Sequence, residues 1–383
     1  MARNGLGPDP WSAWTACLTP PPVGRTLPVR GRPAPQRPLT GPAPYPRTRG
    51  VRPTPSSLPR DWWGPHWSPP RPRSIVELLR AGSLDSELAA LLWLWLEARL
   101  PVVIAAGPPL AGKSTLLTAL LAFLPTDARR FFLQGAAEDF RWLPEAEALG
   151  WHRPASSAES TGAEPSPRER RLAAADPARA YLLAAELSDH LAAYTWGAAA
   201  RLLVRAAGRG YGFGATIHAE SLGEVLEQLQ ARPVGLSADE LRSLGIVLVL
   251  GVARADQPRP APWWDAEPAA PRRRVVAAHY VRPLERDAGG HLRRRPPAVL
   301  TTWEPEGDRF EHFAWGVLPE LAERVGRAAA DFERERARRA AFLGQLVTGP
   351  RTSPGEVAEA IAAFARPVDE PVRPDRSLRP SPA

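Results

Sequence analysis

Short apolar runs alternate with helix-like segments through the middle of the chain. The runs are too short for helices and too continuously apolar for half-exposed strands, so they predict buried strands of a mostly parallel sheet. These runs lie at residues 101–106, 131–134, 180–185, 212–219 and 246–252. Helices are predicted between them at 114–124, 201–207 and 222–229. Strands that alternate with helices predict an α/β fold.

The pattern changes beyond residue 255. Shorter alternating runs between residues 272 and 313 predict a small antiparallel appendage. Apolar residues at helical spacing then predict C-terminal helices. They are Leu318, Leu321, Val325, Phe332, Phe342 and Leu346. The predicted organisation is a tail (1–73), a core domain (74–255), the β-rich appendage (256–316), helices (317–366) and an unstructured end (367–383).

The most apolar stretch, 88–106, is interrupted by Glu97, Arg99 and Pro101. It predicts a helix that leads into the first strand, and not a membrane span. The N-terminus has no apolar h-region and predicts no signal peptide. The single cysteine, Cys17, excludes an internal disulfide and a cysteine-based zinc site. Together these features predict a cytoplasmic location.

Charge is concentrated at the N-terminus. Residues 1–73 hold 19 of the 46 prolines and eleven arginines against two acidic residues, so they carry +9, whereas residues 74–383 carry −1. This composition predicts a disordered, Pro/Arg-rich tail. The near-neutral body predicts no specific nucleic-acid groove. The tail's tryptophans are either docking anchors, for a partner or an anionic membrane surface, or parts of a solvated linker: Trp11, Trp14, Trp62, Trp63 and Trp67.

Lys113 is the only lysine among 49 basic residues, and it lies in the segment GPPLAGKST. The segment has the phosphate-binding P-loop pattern G-x-x-x-x-G-K-[ST], between a predicted strand and a predicted helix. Lysine reaches the β- and γ-phosphates of ATP as a compact charge that planar arginine does not replace. The hydroxyl of Ser114 is the predicted Mg²⁺ ligand. The predicted nucleotide-binding residues are Gly107, Pro108, Pro109, Leu110, Ala111, Gly112, Lys113, Ser114 and Thr115.

A P-loop ATPase also needs a carboxylate that orients the attacking water. Glu186 directly follows the apolar run 180–185 and is the predicted catalytic residue; the alternative is an acid near a helix N-terminus. Glu138, in the acidic turn after the run 131–134, is the next candidate. His218 ends another run after Thr216, where it is either a sensor of the γ-phosphate or a structural histidine.

Four motifs, in this order along residues 74–364, resemble those of the type II/type IV secretion ATPases, the motors of pilus, archaellum and secretion systems. Residues 74–125 resemble the family's helices and P-loop. LQGAAED resembles the aspartate box, with Gln134 in place of the first Glu. Ala185-Glu186 resembles the end of Walker B. RGYGFGATIHAES resembles the histidine box, with Tyr211 in place of the first His and His218 matching the last.

The resemblance implies a RecA-like P-loop core and an ATP-hydrolysing motor. It implies a homo-oligomeric, hexameric ring that acts on a polytopic platform protein at the inner face of the plasma membrane. The implied catalytic residues are Glu186, Lys113, Glu138 and His218.

The departures leave an alternative open, a regulatory or scaffold module that binds ATP with little turnover. They are Gln134, Tyr211 and the absence of the arginine that the family places after its Walker B Glu. A third alternative is a nucleic-acid-dependent ATPase that uses the basic tail.

Overall fold

The computed structural model describes residues 72–140, 142–152, 177–253, 272–287 and 289–365. Nearly all of the predicted N-terminal tail, with its tryptophans, and the whole of the segment 367–383 lie outside the described residues. The domain boundaries near residues 255, 316 and 366 stay predictions.

An eight-stranded sheet forms the centre of the molecule, so the predicted α/β fold is confirmed. Its strands are β1 (Val102–Ala105), β2 (Arg129–Phe132), β3 (Ala180–Leu187), β4 (Gly212–Ile217), β5 (Ile246–Ala253), β6 (Arg272–Tyr280), β9 (Ala298–Glu304) and β10 (Arg309–His312). Their spatial order is β10-β9-β6-β5-β1-β4-β3-β2. The five strands from β5 to β2 are parallel, and β1, which lies between β5 and β4, is fully buried.

The predicted antiparallel appendage is present as a continuation of this sheet. Strand β6 pairs antiparallel with β5, β9 pairs with β6, and β10 pairs with β9. A separate two-stranded ribbon consists of β7 (Glu285–Arg286) and β8 (Leu292–Arg293). Because β6 runs against β5, it begins at the edge where the parallel strands end. Residues early in β6 therefore lie near the loops that follow those strands.

The helices of the described residues flank the sheet and form a C-terminal layer. They are α1 (Ile75–Arg80), α2 (Ser86–Glu97), α3 (Lys113–Leu120), α4 (Ala198–Ala207), α5 (Leu222–Gln230), α6 (Leu318–Arg324), α7 (Ala329–Thr348) and α8 (Pro354–Ala365). Within these ranges, no helix is long and apolar enough to cross a membrane. The expected helix before the first strand is α2, which buries every residue from Leu88 to Leu96.

Strand β2 differs from its prediction. It begins two residues earlier than expected, at Arg129, and ends at Phe132 instead of residue 134. β2 is the last strand of the sheet, and an edge strand tolerates polar residues. The strand therefore includes Arg129 and Arg130, which do not belong to an apolar run.

A buried arginine joins the helical layer to α2. Arg339 of α7 is 2% exposed, and its guanidinium donates to a carboxylate oxygen of Glu97 at 2.6 Å. The guanidinium also lies over the ring of Trp93, 4.8 Å from its centroid. Burial of a charge is tolerated because it is paired in this way.

Candidate nucleotide-binding site

The segment with the P-loop pattern connects β1 to α3, as the motif requires. Helix α3 begins at Lys113, and its N-terminal cap, Gly112, has φ 99°, a left-handed conformation that favours glycine. Leu110, at the outer part of the loop, also has a positive φ, of 60°. The first backbone N–H groups of α3 are thereby directed toward the end of the parallel strands, which is the arrangement that binds phosphate in P-loops.

Gly107 lies close to the side chain of Glu220, two residues after His218. A Cβ atom at this position would lie 2.2 Å from Cγ of Glu220, so a larger residue would displace that side chain. The backbone N–H of Ala106 also donates to the carbonyl of Ile217 at 3.3 Å. His218 therefore lies beside the start of the loop. Its own carbonyl accepts a hydrogen bond from Nε2 of Gln228 at 2.8 Å, so α5 holds the backbone at this point.

Lys113 and Glu186 face each other across this edge of the sheet. Nζ of Lys113 lies 3.6 Å from Oε2 of Glu186, and the two side chains are 11% and 17% exposed. The lysine follows β1, and the glutamate belongs to β3, which is separated from β1 by β4. The structure thus brings together the two residues that the sequence predicted for phosphate binding and for water activation.

A β-bulge sets the position of Glu186. The pairing of β3 with β4 is regular up to Ala184 and resumes at Leu187 with a shifted register. Within the bulge, the carbonyl of Ala185 accepts a hydrogen bond of 2.6 Å from the buried Thr216 hydroxyl. The carbonyl of Glu186 accepts from the N–H of Thr195 at 2.8 Å. Bulges near functional sites turn a side chain away from the regular alternation, and here the side chain is that of Glu186.

The segment 188–195 folds over the same carboxylate. Burial, and then the negative charge of Glu186, raise the pKa of Tyr194. The carbonyl of Ala192 accepts from the N–H of Ala136 at 2.8 Å, so this segment also touches the loop that contains Glu138.

Glu138 is 4% exposed and organises its own loop. Its carboxylate accepts hydrogen bonds from the N–H of Gln134 at 3.0 Å and from the indole of Trp142 at 2.9 Å. These contacts favour a structural role for Glu138. Gln134, which stands where the resembling family has a glutamate, is exposed.

Tyr211 lies at the opposite end of β4 from His218. It is buried just before the strand begins at Gly212, whereas His218 follows the last residue of the strand. Six strand residues span about 20 Å, so Tyr211 is far from the loop. The substitution of the first histidine of the histidine box therefore falls outside the P-loop region.

Arg273 is a contact of the loop that the sequence did not point to. Its Nε donates to the carbonyl of Leu110 at 3.1 Å, and its stem lies over Gly112. Its position at the start of β6 accounts for the contact. A sequence signal existed in the arginine triplet 272–274, but the strand pairing that brings it to the P-loop could not be inferred from it.

A strand, a glycine loop, a lysine at a helix N-terminus and an opposed carboxylate on a parallel sheet are the parts of a P-loop nucleotide-binding domain. The N-terminus of α3 and the ammonium group of Lys113 are the groups at this loop that could contact a phosphate. Among the described residues, no cluster of three His, Cys, Asp or Glu side chains could hold a metal.

Comparisons with known proteins give distant similarities. No family model matches the chain. The uncharacterized protein MJ0900 of Methanocaldococcus jannaschii is 23% identical over 306 residues, which cover 76% of this chain and 49% of that protein. The uncharacterized protein MJ1287 of the same organism is 28% identical over 172 residues, covering 45% and 59%. The chain thus spans about half the length of the curated relatives it matches.

Among solved structures, the ATPase DotB of Yersinia pseudotuberculosis aligns at 12% identity with a TM-score of 0.26, over 75% of this chain and 63% of that one. A superposition this loose does not establish a common activity.

Proposed function

We propose that the protein is a Mg²⁺-dependent P-loop ATPase that works as a motor of the secretion and pilus-assembly kind. The observation that carries the hydrolytic part of the proposal is the 3.6 Å approach of Lys113 to Glu186 at the end of the parallel strands. A phosphate-binding lysine and a carboxylate at the same edge of the sheet are the two charged groups that P-loop hydrolysis needs.

The loop backbone from Gly107 to Gly112 and the first N–H groups of α3 would enclose the β-phosphate. Lys113 would contact the β- and γ-oxygens. Ser114 and Thr115 lie in the first turn of α3, and the Ser114 hydroxyl would hold Mg²⁺ together with phosphate oxygens and water. The magnesium ion would neutralise the charge that develops on the transferred phosphoryl group.

Glu186 would orient a water molecule for attack on the γ-phosphorus. The new bond joins the water oxygen to phosphorus as the bond to the β–γ bridging oxygen breaks, so ADP and phosphate leave. When phosphate binds, it competes with Glu186 for Lys113 and releases the carboxylate to hold the water. His218, beside the start of the loop, would respond to the presence of the γ-phosphate.

The motor part of the proposal rests on the order of four sequence motifs that resemble the secretion ATPases. We propose a hexameric ring that acts on a polytopic platform protein at the cytoplasmic face of a membrane. The basic N-terminal segment would add contacts to anionic lipid, where each arginine contributes roughly 1 kcal/mol. No specific nucleic acid is part of this proposal.

The second candidate is an ATP-binding regulatory or scaffold module of the same family with little turnover. The hydrogen bonds of the Glu138 carboxylate within its own loop favour it, because they leave Glu186 as the one acidic side chain of the described residues that pairs with Lys113. The two candidates share the nucleotide site and differ in turnover.

Glu186→Gln separates them, because it keeps the shape of the side chain and removes the charge. A motor should retain its MgATP affinity within a few-fold, while steady-state phosphate release falls by about 10²- to 10⁴-fold. The loss should appear in kcat and not in KM. Glu147→Gln, at an exposed glutamate, is the matched control and should retain the turnover. Equal phosphate release by wild type and Glu186→Gln would overturn the hydrolytic proposal in favour of the module.

A further inference from the structure

The arginine triplet at the start of β6 is divided between the two faces of the sheet. Arg272 and Arg274 both bond to Asp308: Nη1 of Arg272 lies 3.2 Å from Oδ2, and Arg274 makes two hydrogen bonds of 2.8 Å. Since successive side chains of a strand point to opposite faces, Arg273 points away from this cluster. The cluster therefore has a structural role in which Arg273 takes no part.

Arg273 instead reaches the P-loop. Its Nε donates to the Leu110 carbonyl at 3.1 Å, and its Cδ would lie 3.2 Å from a Cβ atom at Gly112. The terminal nitrogens of its guanidinium make no hydrogen bond to any described residue, and no described carboxylate lies within ion-pair distance. The hydrogen bond at Nε thus holds the guanidinium beside the loop. Its two terminal nitrogens and its flat face are left free by the described residues to contact a ligand.

The order of the strands places Arg273 on the opposite side of the loop from the hydrolytic residues. Glu186 lies on β3, to one side of β1, and β6 lies to the other side, beyond β5. Lys113 binds the terminal phosphates in a P-loop, and here it faces Glu186. A nucleotide whose terminal phosphate lies between these two residues therefore extends its base toward the β5–β6 side.

We propose that Arg273 is a nucleotide-binding residue that contacts the base, with the plane of its guanidinium stacked on the ring. This inference rests on the proposed nucleotide-binding function of the P-loop. Arginine suits the role because its planar, delocalised and weakly hydrated group stacks on aromatic faces. The bond to Leu110 holds the group in one orientation, so little freedom is lost when the base binds.

Stacking also determines how Arg273 would select among nucleotide bases. Every base has an aromatic face, so a stacked arginine strengthens binding of purine nucleotides without a hydrogen-bond code for adenine. Arg273 should therefore contribute to the affinity for MgATP and MgGTP by similar factors, and nothing to the affinity for a polyphosphate that lacks a base.

The test compares MgATP with magnesium tripolyphosphate, which has the phosphates without the nucleoside. Binding of each is measured by calorimetry to the full chain as wild type, Arg273→Ala, Arg273→Lys and Lys113→Ala. Arg272→Ala is the matched control, because it removes the same charge one position away on the opposite face. Thermal unfolding without ligand confirms that each variant is folded.

We expect Arg273→Ala to weaken MgATP binding by about 5- to 100-fold, the range of a lost base stack, with tripolyphosphate binding unchanged. Arg273→Lys should resemble Arg273→Ala, since an ammonium group has no planar face. Arg272→Ala should bind both ligands as wild type does.

If Arg273→Ala lost equal affinity for MgATP and tripolyphosphate, or if Arg273→Lys bound MgATP like wild type, the base contact would be overturned. Arg273 would then contact phosphate or support the loop. Unchanged MgATP binding would overturn it outright. Lys113→Ala distinguishes these outcomes from failure of the underlying function, because it should lose both ligands. Retention of both by Lys113→Ala would remove the P-loop proposal itself.

Discussion

The hydroxyl of Thr216 donates a 2.6 Å hydrogen bond to the carbonyl of Ala185, the residue before Glu186. The two residues lie on the neighbouring strands β4 and β3, where a bulge interrupts the regular pairing. Thr216 is fully buried, so this carbonyl has no access to water as an alternative partner. The side chain thus replaces a missing backbone hydrogen bond and keeps the bulge in the form that presents Glu186 to Lys113.

Thr216→Val should therefore reduce turnover while it preserves nucleotide binding. Valine has the shape of threonine without the hydroxyl, and a buried carbonyl left without a partner costs about 1–3 kcal/mol. We expect kcat for phosphate release to fall by about tenfold or more, with KM changed little, because Glu186 loses its fixed position. Steady-state kinetics on the full chain checks this.

Thr216→Ser is the control for that prediction. Serine keeps the hydroxyl and should recover most of the lost kcat. If Thr216→Val has the kcat of wild type, or if serine recovers nothing, the hydrogen bond does not position the glutamate.

His279, on β6, should make the protein less stable in mild acid. Burial lowers its pKa to about 4 from an ordinary value of 6.5. The unfolded chain then takes up a proton at a higher pH than the folded protein does. The stability linked to His279 is present above pH 6.5 and is lost as the pH falls toward 4, by up to about 3 kcal/mol.

The measurement is urea unfolding at several pH values between 7 and 4. His279→Gln removes the titrating group, so its stability should decrease less steeply over this interval than that of wild type. Parallel slopes for wild type and His279→Gln would contradict the prediction.

Arg339→Met should destabilise the C-terminal helical layer. The substitution retains an unbranched stem but removes the guanidinium that pairs with Glu97 and covers Trp93. Loss of one partner from a buried pair costs about 3–5 kcal/mol, and the partial exposure of Glu97 places the expected loss near the lower limit. Thermal or urea unfolding measures it.

Arg334→Ala is the comparison on the same helix. Arg334 is exposed and pairs with Asp331 on the surface, where such pairs contribute about 0–1 kcal/mol. A loss for Arg339→Met no greater than that for Arg334→Ala would show that the pair with Glu97 is not important for stability.

A shortened protein that begins at residue 72 should bind MgATP like the full chain. It keeps Ser74, whose hydroxyl and N–H form a capping box with Glu77 at the start of α1. It should lose association with vesicles of anionic phospholipid, because it lacks ten of the eleven arginines of the N-terminal segment. Vesicle sedimentation at low and high salt tests this, with neutral vesicles as the control. Unchanged, salt-sensitive association of the shortened protein would place the lipid contact elsewhere.

The periodicity of the sequence was sufficient to predict the parallel half of the sheet. Each buried strand is a short apolar run, and the lysine motif marks the loop between β1 and α3. Glu186 was predicted because a strand of continuous apolar residues ends there. These features are local, so a single sequence contains them.

The remaining features depend on pairing between distant segments. Alternation of polar and apolar residues predicted antiparallel strands but did not identify β5 as the partner of β6, so the contact of Arg273 with Leu110 could not be predicted. The bulge at Ala185 is likewise visible only when β3 is paired with β4. The structural role of Glu138 depends on its hydrogen bond from the indole of Trp142, and the sequence does not show that these two residues are partners.

The pairing of Lys113 with Glu186 has a consequence for the charges at this site. Each side chain is mostly shielded from water, so either charge would destabilise the protein if it had no partner. In the proposed ATPase, departure of the nucleotide would exchange one anionic partner of Lys113 for another. Neither buried charge would then be left without a partner between turnovers.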